Sequence, residues 1–151
     1  MAFAVFTLVG FNSAEEKEKK APKVKSIEFD KIKVNGKLYE KDIVIEGYDV
    51  RTINKGPSKE FRAEYNHTAL THHEEIPRDC KVLVIGIGMS EKLPVTDKFK
   101  ALAKKKGATL IMIRTPEAVD YYNKNFSKDM NAILHYVLNE IALEDCVKSC
   151  L

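Results

Sequence analysis

Two groups of residues in this chain have types and spacing that could do chemistry. The first is Gly86-Ile87-Gly88-Met89-Ser90, together with Thr115. Glycines directly after an aliphatic run let the backbone turn sharply. They also let N–H groups approach a ligand, which suits a small anion. A dinucleotide fingerprint needs a third glycine at position 91, where this chain has Glu91, whose carboxylate would repel a pyrophosphate. The next strand ends in Arg114 instead of the acid that holds a ribose. Turn glycines under a covering helix are therefore expected, with no conventional NAD site and no cofactor. Gly86, Gly88, Met89, Ser90 and Thr115 remain as a looser ligand crevice. Ser90 is followed by Glu91 and Lys92, so the Gly-x-Ser-x-Gly elbow pattern fails.

The second group is His67, His72, His73, Glu74, Glu75 and Cys80. It contains potential metal ligands, but no His-Glu-x-x-His motif, and adjacent histidines on a helix point about 100° apart. Solvated polar residues are the expected reading, with no metal. Cys146 and Cys150 lie four apart and read as free thiols in a tail. His135, inside an apolar run, reads as a satisfied core or interface histidine. The lysines from Lys98 to Lys106 have no interleaved aromatics, so they read as a wet helix face and not a nucleic-acid surface.

The elements that must position these residues follow from pattern. Val82 to Ile85 is a short β-branched and aliphatic run, expected to be a strand buried on both faces. Leu93-Pro94-Val95 is an extended lead-in, Thr96 or Asp97 caps a helix, and Phe99, Leu102 and Ala103 form its buried stripe. Gly107 ends that helix, and Ala108 to Ile113 is a second strand. Strand, glycine turn, helix, strand is a βαβ unit, which predicts adjacent parallel strands with a right-handed crossover. Thr115-Pro116-Glu117 reads as a helix start with Thr115 as the cap.

Upstream, Ser26 to Val34 alternates, and Asn35-Gly36 is a hairpin turn returning through Leu38 and Tyr39. Ile43-Val44-Ile45 and Val50 to Ile53 are further strands, with Gly47-Tyr48 turning between them and Lys41-Asp42 interrupting before them. A short helix within Glu60 to Ile76, capped by Thr68 or Thr71 and ending before Pro77, is expected. Periodicity in Ile133, Leu134, Val137, Leu138 and Ile141 favours a helix, although Ala132 to Leu138 is also a β-compatible run, with a turn at Asp129-Met130-Asn131 before it.

The chain's 151 residues suit one domain with a real core. Its formal charge of +3, from 25 basic and 22 acidic residues, gives no argument for nucleic acid. Three cysteines, an odd number without zinc spacing, point to a reducing, cytoplasmic compartment. No stretch approaches the roughly 20 apolar residues of a membrane helix. Met1 to Val9 is apolar, but no Lys or Arg precedes Lys17, so a signal peptide is not expected. That segment reads as an added strand or a partner-contacting tail. Residues 1–23 are thus an apolar segment and charged linker, 24–138 one α/β domain and 139–151 a C-terminal extension.

Several segments together resemble one family. Ile27-Glu28-Phe29-Asp30-Lys31-Ile32-Lys33-Val34-Asn35-Gly36-Lys37-Leu38-Tyr39 and Asp42-Ile43-Val44-Ile45 resemble its opening hairpins. Val82 to Ser90 is similar to its central strand and glycine turn, and Thr115-Pro116-Glu117-Ala118-Val119 with Tyr122-Asn123 to its second helix. This is the small α/β family that includes the adipogenesis-associated domain protein and mitochondrial complex I assembly factor 3, with many prokaryotic members of unknown function. The resemblance implies a three-layer α/β domain with a mixed central sheet, an N-terminal β-hairpin layer and flanking helices. It implies a last strand antiparallel to the others, and so decides Ala132 to Leu138 as strand, with a helix only from about Asn139. It implies no catalytic activity, and points to a non-enzymatic interaction or assembly module with protein partners. Self-association, through a sheet edge or the N-terminal segment, is expected on other grounds: Met1 to Val9 carries no charge and left free would be an exposed apolar patch. The alternative is a small-anion-binding protein or enzyme at the glycine turn. The chain departs from the family in having Arg51-Thr52-Ile53-Asn54 where tryptophans are common.

Overall fold

The computed structural model of the protein describes residues 20–28, 31–65 and 68–135. The apolar segment 1–9, His67, Cys146, Cys150 and the helix expected from Asn139 lie outside these residues.

Strands β1 (Val24–Glu28), β2 (Lys31–Val34) and β3 (Lys37–Tyr39) form an antiparallel three-stranded sheet. Asn35 (φ +48°) and Gly36 (φ +87°) make the expected two-residue turn between β2 and β3. The alternating stretch Ser26 to Val34 is not one strand but two that fold back on each other, pairing Ile27 with Ile32. The physical reason is parity. Ile27 is odd-numbered, whereas Ile32 and Val34 are even, so a single strand would point them to opposite faces. Folding back brings them to one side.

Strands β4 (Ile43–Glu46) and β5 (Asp49–Thr52) form a hairpin around Gly47. A 3-10 helix over Gly56–Phe61 runs into a single α-turn, α1 (Arg62–Tyr65). The helix expected to reach Pro77 does not form. Ala69, Leu70 and Thr71 are consecutive and all buried, a demand no surface helix can meet. Instead Leu70 is held between the Pro94 carbonyl and the Thr96 amide.

The remainder is β6 (Val82–Ile87), α2 (Asp97–Lys105), β7 (Thr109–Ile113), α3 (Thr115–Asn125) and β8 (Met130–His135). β6 and β7 are adjacent and parallel, as the βαβ pattern predicts. Thr96 caps α2 by accepting from the Phe99 N–H, and Gly107 leaves that helix at φ +83°. The five-stranded sheet has the order β5-β4-β8-β6-β7.

Two expectations about β8 are corrected. It is antiparallel to β4 but parallel to β6. It arrives from β7 through α3, and a helical crossover joins parallel strands. Met130 and Asn131 are already in the strand and not in a turn: the Asn131 side chain accepts from the Gly47 N–H at 2.8 Å and donates to the Arg78 carbonyl at 3.2 Å.

The two crossovers place α2 and α3 on opposite faces of the sheet. On one face, Ala118, Val119 and Tyr122 of α3 pack with Val84, Ile43, Ile45 and the hairpin layer's Val24, Ile32 and Val34. On the other, Phe99 and Ala103 of α2 pack with Leu83, Ile85, Val44 and Leu70. Asn123 ties the hairpin layer to α3, accepting from the Val24 N–H (3.0 Å) and donating to the Val24 carbonyl (2.7 Å). The domain is therefore an α/β fold with a mixed central sheet, an N-terminal hairpin-like sheet and flanking helices. Among the described residues, no helix is long and apolar enough to cross a membrane.

Candidate functional site

The chain leaves β6 toward α2 on one face and leaves β7 toward α3 on the other. In open α/β sheets such a point, beyond the carboxyl ends of the strands, is where ligands favour binding. The glycine turn and Thr115 meet there. Gly86 is not a turn glycine, as its place after the aliphatic run predicts, but a buried residue within β6 without a positive φ; what it supplies is space, since an added Cβ would lie 2.9 Å from Thr115 Oγ1 and 3.0 Å from its Cα. Gly88 has φ +92°. Its N–H donates to Thr115 Oγ1 at 2.9 Å, and the Thr115 N–H donates back to the Gly88 carbonyl at 3.1 Å.

Thr115 is not the cap of α3, as its sequence context predicts. Arg114 takes that position without a side-chain cap bond. The fully buried Thr115 hydroxyl donates instead to the His135 carbonyl at 2.5 Å, so one side chain joins α3, the glycine turn and the end of β8. Met89 and Ser90 project outward and are exposed. Glu91 occupies the left-handed region (φ +57°) at the place a fingerprint glycine would take, and its carboxylate lies 4.0 Å from Arg114.

Beside this turn sits a group that the sequence did not reveal. His135 Nδ1 lies 2.6 Å from Asp42 Oδ2 and 2.9 Å from Lys55 Nζ, and Lys55 is ion-paired with the same Asp42 oxygen. The three side chains are only 10 to 14% exposed. A carboxylate only accepts, so the 2.6 Å contact with Asp42 places a proton on Nδ1; Nδ1 then cannot accept from Lys55, whose ammonium serves the Asp42 carboxylate. Burial pushes the Asp42 carboxyl up, but the His135 hydrogen bond and the Lys55 charge outweigh it and leave the group below the usual carboxylate value. Residues 42, 55 and 135 share no local spacing, so no motif could have linked them. Lys41-Asp42 looked only like a strand break. His135 is satisfied, as its apolar setting predicts.

The second sequence group disperses. Glu74 is buried, contrary to the expectation of solvated polar residues. Its carboxylate accepts from Ser58 Oγ, the Thr71 N–H (2.7 Å) and Thr71 Oγ1 (3.1 Å). Burial without partners would be costly, and these bonds answer it. Glu75 turns outward to Arg51 at 3.7 Å. The His72 and His73 rings lie tilted against each other at 4.0 Å, with Phe61 stacked on His73 at 5.6 Å. Burial pushes the Cys80 thiol up, and it donates to the Val82 carbonyl. Among the described residues, no three His, Cys, Asp or Glu side chains converge as a metal site. A shallow recess of about 180 Å³ between Arg51, His73 and Glu74 has Val44 and Ile133 as its floor.

Residues 24–135 match the family described as a protein of unknown function (DUF498/DUF598), and the chain belongs to that family. No curated protein matches the sequence. Among solved structures, a conserved hypothetical protein from Pyrococcus horikoshii OT3 is 25% identical, with a TM-score of 0.65, over 75% of this chain and 97% of that one. A protein from Bartonella henselae, described as an outer membrane protein, is 14% identical, with a TM-score of 0.55, over 79% of this chain and 98% of that one. That second likeness is one of fold alone.

Proposed function

We propose that this member of the DUF498/DUF598 family is a non-enzymatic interaction module of the assembly or regulatory kind, acting in the cytoplasm. One observation carries the reading: the donor best placed for a ligand at the strand ends is already engaged. The Gly88 N–H is bonded to Thr115, and Thr115 fills the space above Gly86. That is the geometry of a joint between β6 and α3. Cys80, a buried free thiol, fits a reducing compartment.

The second reading is the small-anion site formed by Gly86, Gly88, Met89, Ser90 and Thr115. The Asp42–Lys55–His135 group beside the turn favours it, because polar groups converge there at the strand ends. An NMR titration of the full chain with inorganic phosphate and pyrophosphate separates the two. The interaction reading expects the Gly88, Ser90 and Thr115 amides to stay unshifted. Saturable micromolar shifts confined to those amides would overturn it.

A further inference from the structure

The two ends of the five-stranded sheet are built differently. β5 exposes Asp49 and Arg51, charges of the kind that keep an edge from pairing. β7 reads Thr-Leu-Ile-Met-Ile, with no charge, no proline and no bulge in its register with β6. Among the described residues it is paired on one side only, and Met112 is 39% exposed. An uncharged, apolar, open edge is a template for another strand.

The geometry of the edge selects its occupant. The Thr109 N–H donates to the Lys81 carbonyl at 2.8 Å. By alternation along the strand, the backbone groups of Thr109, Ile111 and Ile113 face β6, and those of Leu110 and Met112 face outward. A second β7, antiparallel and related by a two-fold axis at Ile111, sets Leu110 opposite Met112 and Met112 opposite Leu110. Both become hydrogen-bonded pairs, and every outward N–H and C=O of the strand is used. Ile111 then meets its own mate as a non-hydrogen-bonded pair, where side chains come closest. Registers centred on Leu110 or Met112 leave part of the strand unmatched.

Charge points the same way. The start of β7 follows exposed Lys104, Lys105 and Lys106, whereas its end is flanked by exposed Glu91 and Glu117 around Arg114. Antiparallel pairing keeps the two lysine ends apart and sets each beside a mixed end, where Glu91 and Glu117 meet Arg114 and Lys92. Parallel pairing would set lysines beside lysines. Resting on the interaction reading, we infer that the partner of this edge is a second copy of the chain, joined β7 to β7 about Ile111 in one continuous sheet.

The test uses the full chain. Light scattering at high micromolar concentration gives a dimer, and Met112→Lys weakens it at least about tenfold without loss of the folded circular dichroism spectrum. Ile111→Cys forms a disulfide-linked dimer on mild oxidation, whereas Thr109→Cys, whose partner is Ile113, does not. Hydrogen exchange at the Leu110 and Met112 amides slows as concentration rises, while Thr109, Ile111 and Ile113 are protected throughout. A monomer at that concentration overturns the proposal. So does a dimer indifferent to Met112→Lys, which would mean another surface. So does concentration-independent protection of Leu110 and Met112, which would mean that a segment of the same chain covers the edge. None of these outcomes moves the phosphate titration, so the inference and the reading beneath it fail separately.

Discussion

The Tyr122 side chain is fully buried, and among the described residues its hydroxyl is the one buried side-chain polar atom with no hydrogen-bond partner. Burial alone pushes its pKa well above the ordinary tyrosine value. The ring carries the packing, meeting Phe126 edge-on at 5.6 Å, and the hydroxyl adds only a desolvation cost. Tyr122→Phe should therefore be neutral or stabilising, by up to about 1 kcal/mol in urea unfolding. A loss larger than about 1 kcal/mol would show that the hydroxyl has a partner. The contrast with Glu74 is instructive. There a carboxyl group is also buried, but each of its oxygens is bonded to Ser58 or Thr71.

At the scale of elements, the joint between β6 and α3 depends on the missing Cβ of Gly86. Any side chain there must displace the Thr115 backbone, which lies 3.0 Å from the Cβ position, and not merely a flexible side-chain end. Thr115 cannot give way freely, because its hydroxyl is tied to both Gly88 and His135. Gly86→Ala is expected to destabilise the domain by about 1–3 kcal/mol, the usual range for overpacking a tight contact. Denaturant midpoints read it, and a change below about 0.5 kcal/mol would mean that α3 moves easily. The same joint explains why α3 is not capped where its local pattern points. Thr115 precedes a proline and an acid, as a cap should, but its hydroxyl finds buried partners across the fold that outweigh a cap bond.

At the scale of the molecule, Asp42, Lys55 and His135 clasp the chain before β4, after β5 and at the end of β8. Asp42 has a lowered folded pKa, so its contribution is fully present above the unfolded value of 3.8 and is lost as pH falls through the lower folded value. The unfolded state binds the proton first, and acid therefore favours unfolding. Asp42→Asn should cost about 3 kcal/mol near neutrality, because Lys55 is left nearly buried without its counter-charge. That gap should close below pH 3.8 in paired pH–stability curves, and a gap constant with pH would sink this account. Some of this molecule was legible from sequence alone. The strand at Val82 to Ile85, the α2 stripe of Phe99 and Ala103, the Asn35-Gly36 turn and the parallel β6–β7 pair are all recorded in short-range periodicity and turn chemistry, whereas the run of β6 on through Gly86 and Ile87 is not. Such signals act within a few residues and survive in any one-dimensional reading. What only tertiary structure decided were choices set by partners far along the chain. They include the direction of β8 against β6, the coil at Ala69–Thr71, the inward turn of Glu74, and the meeting of residues 42, 55 and 135. Each depends on burial and on hydrogen bonds between segments up to 93 positions apart, and no local pattern encodes those.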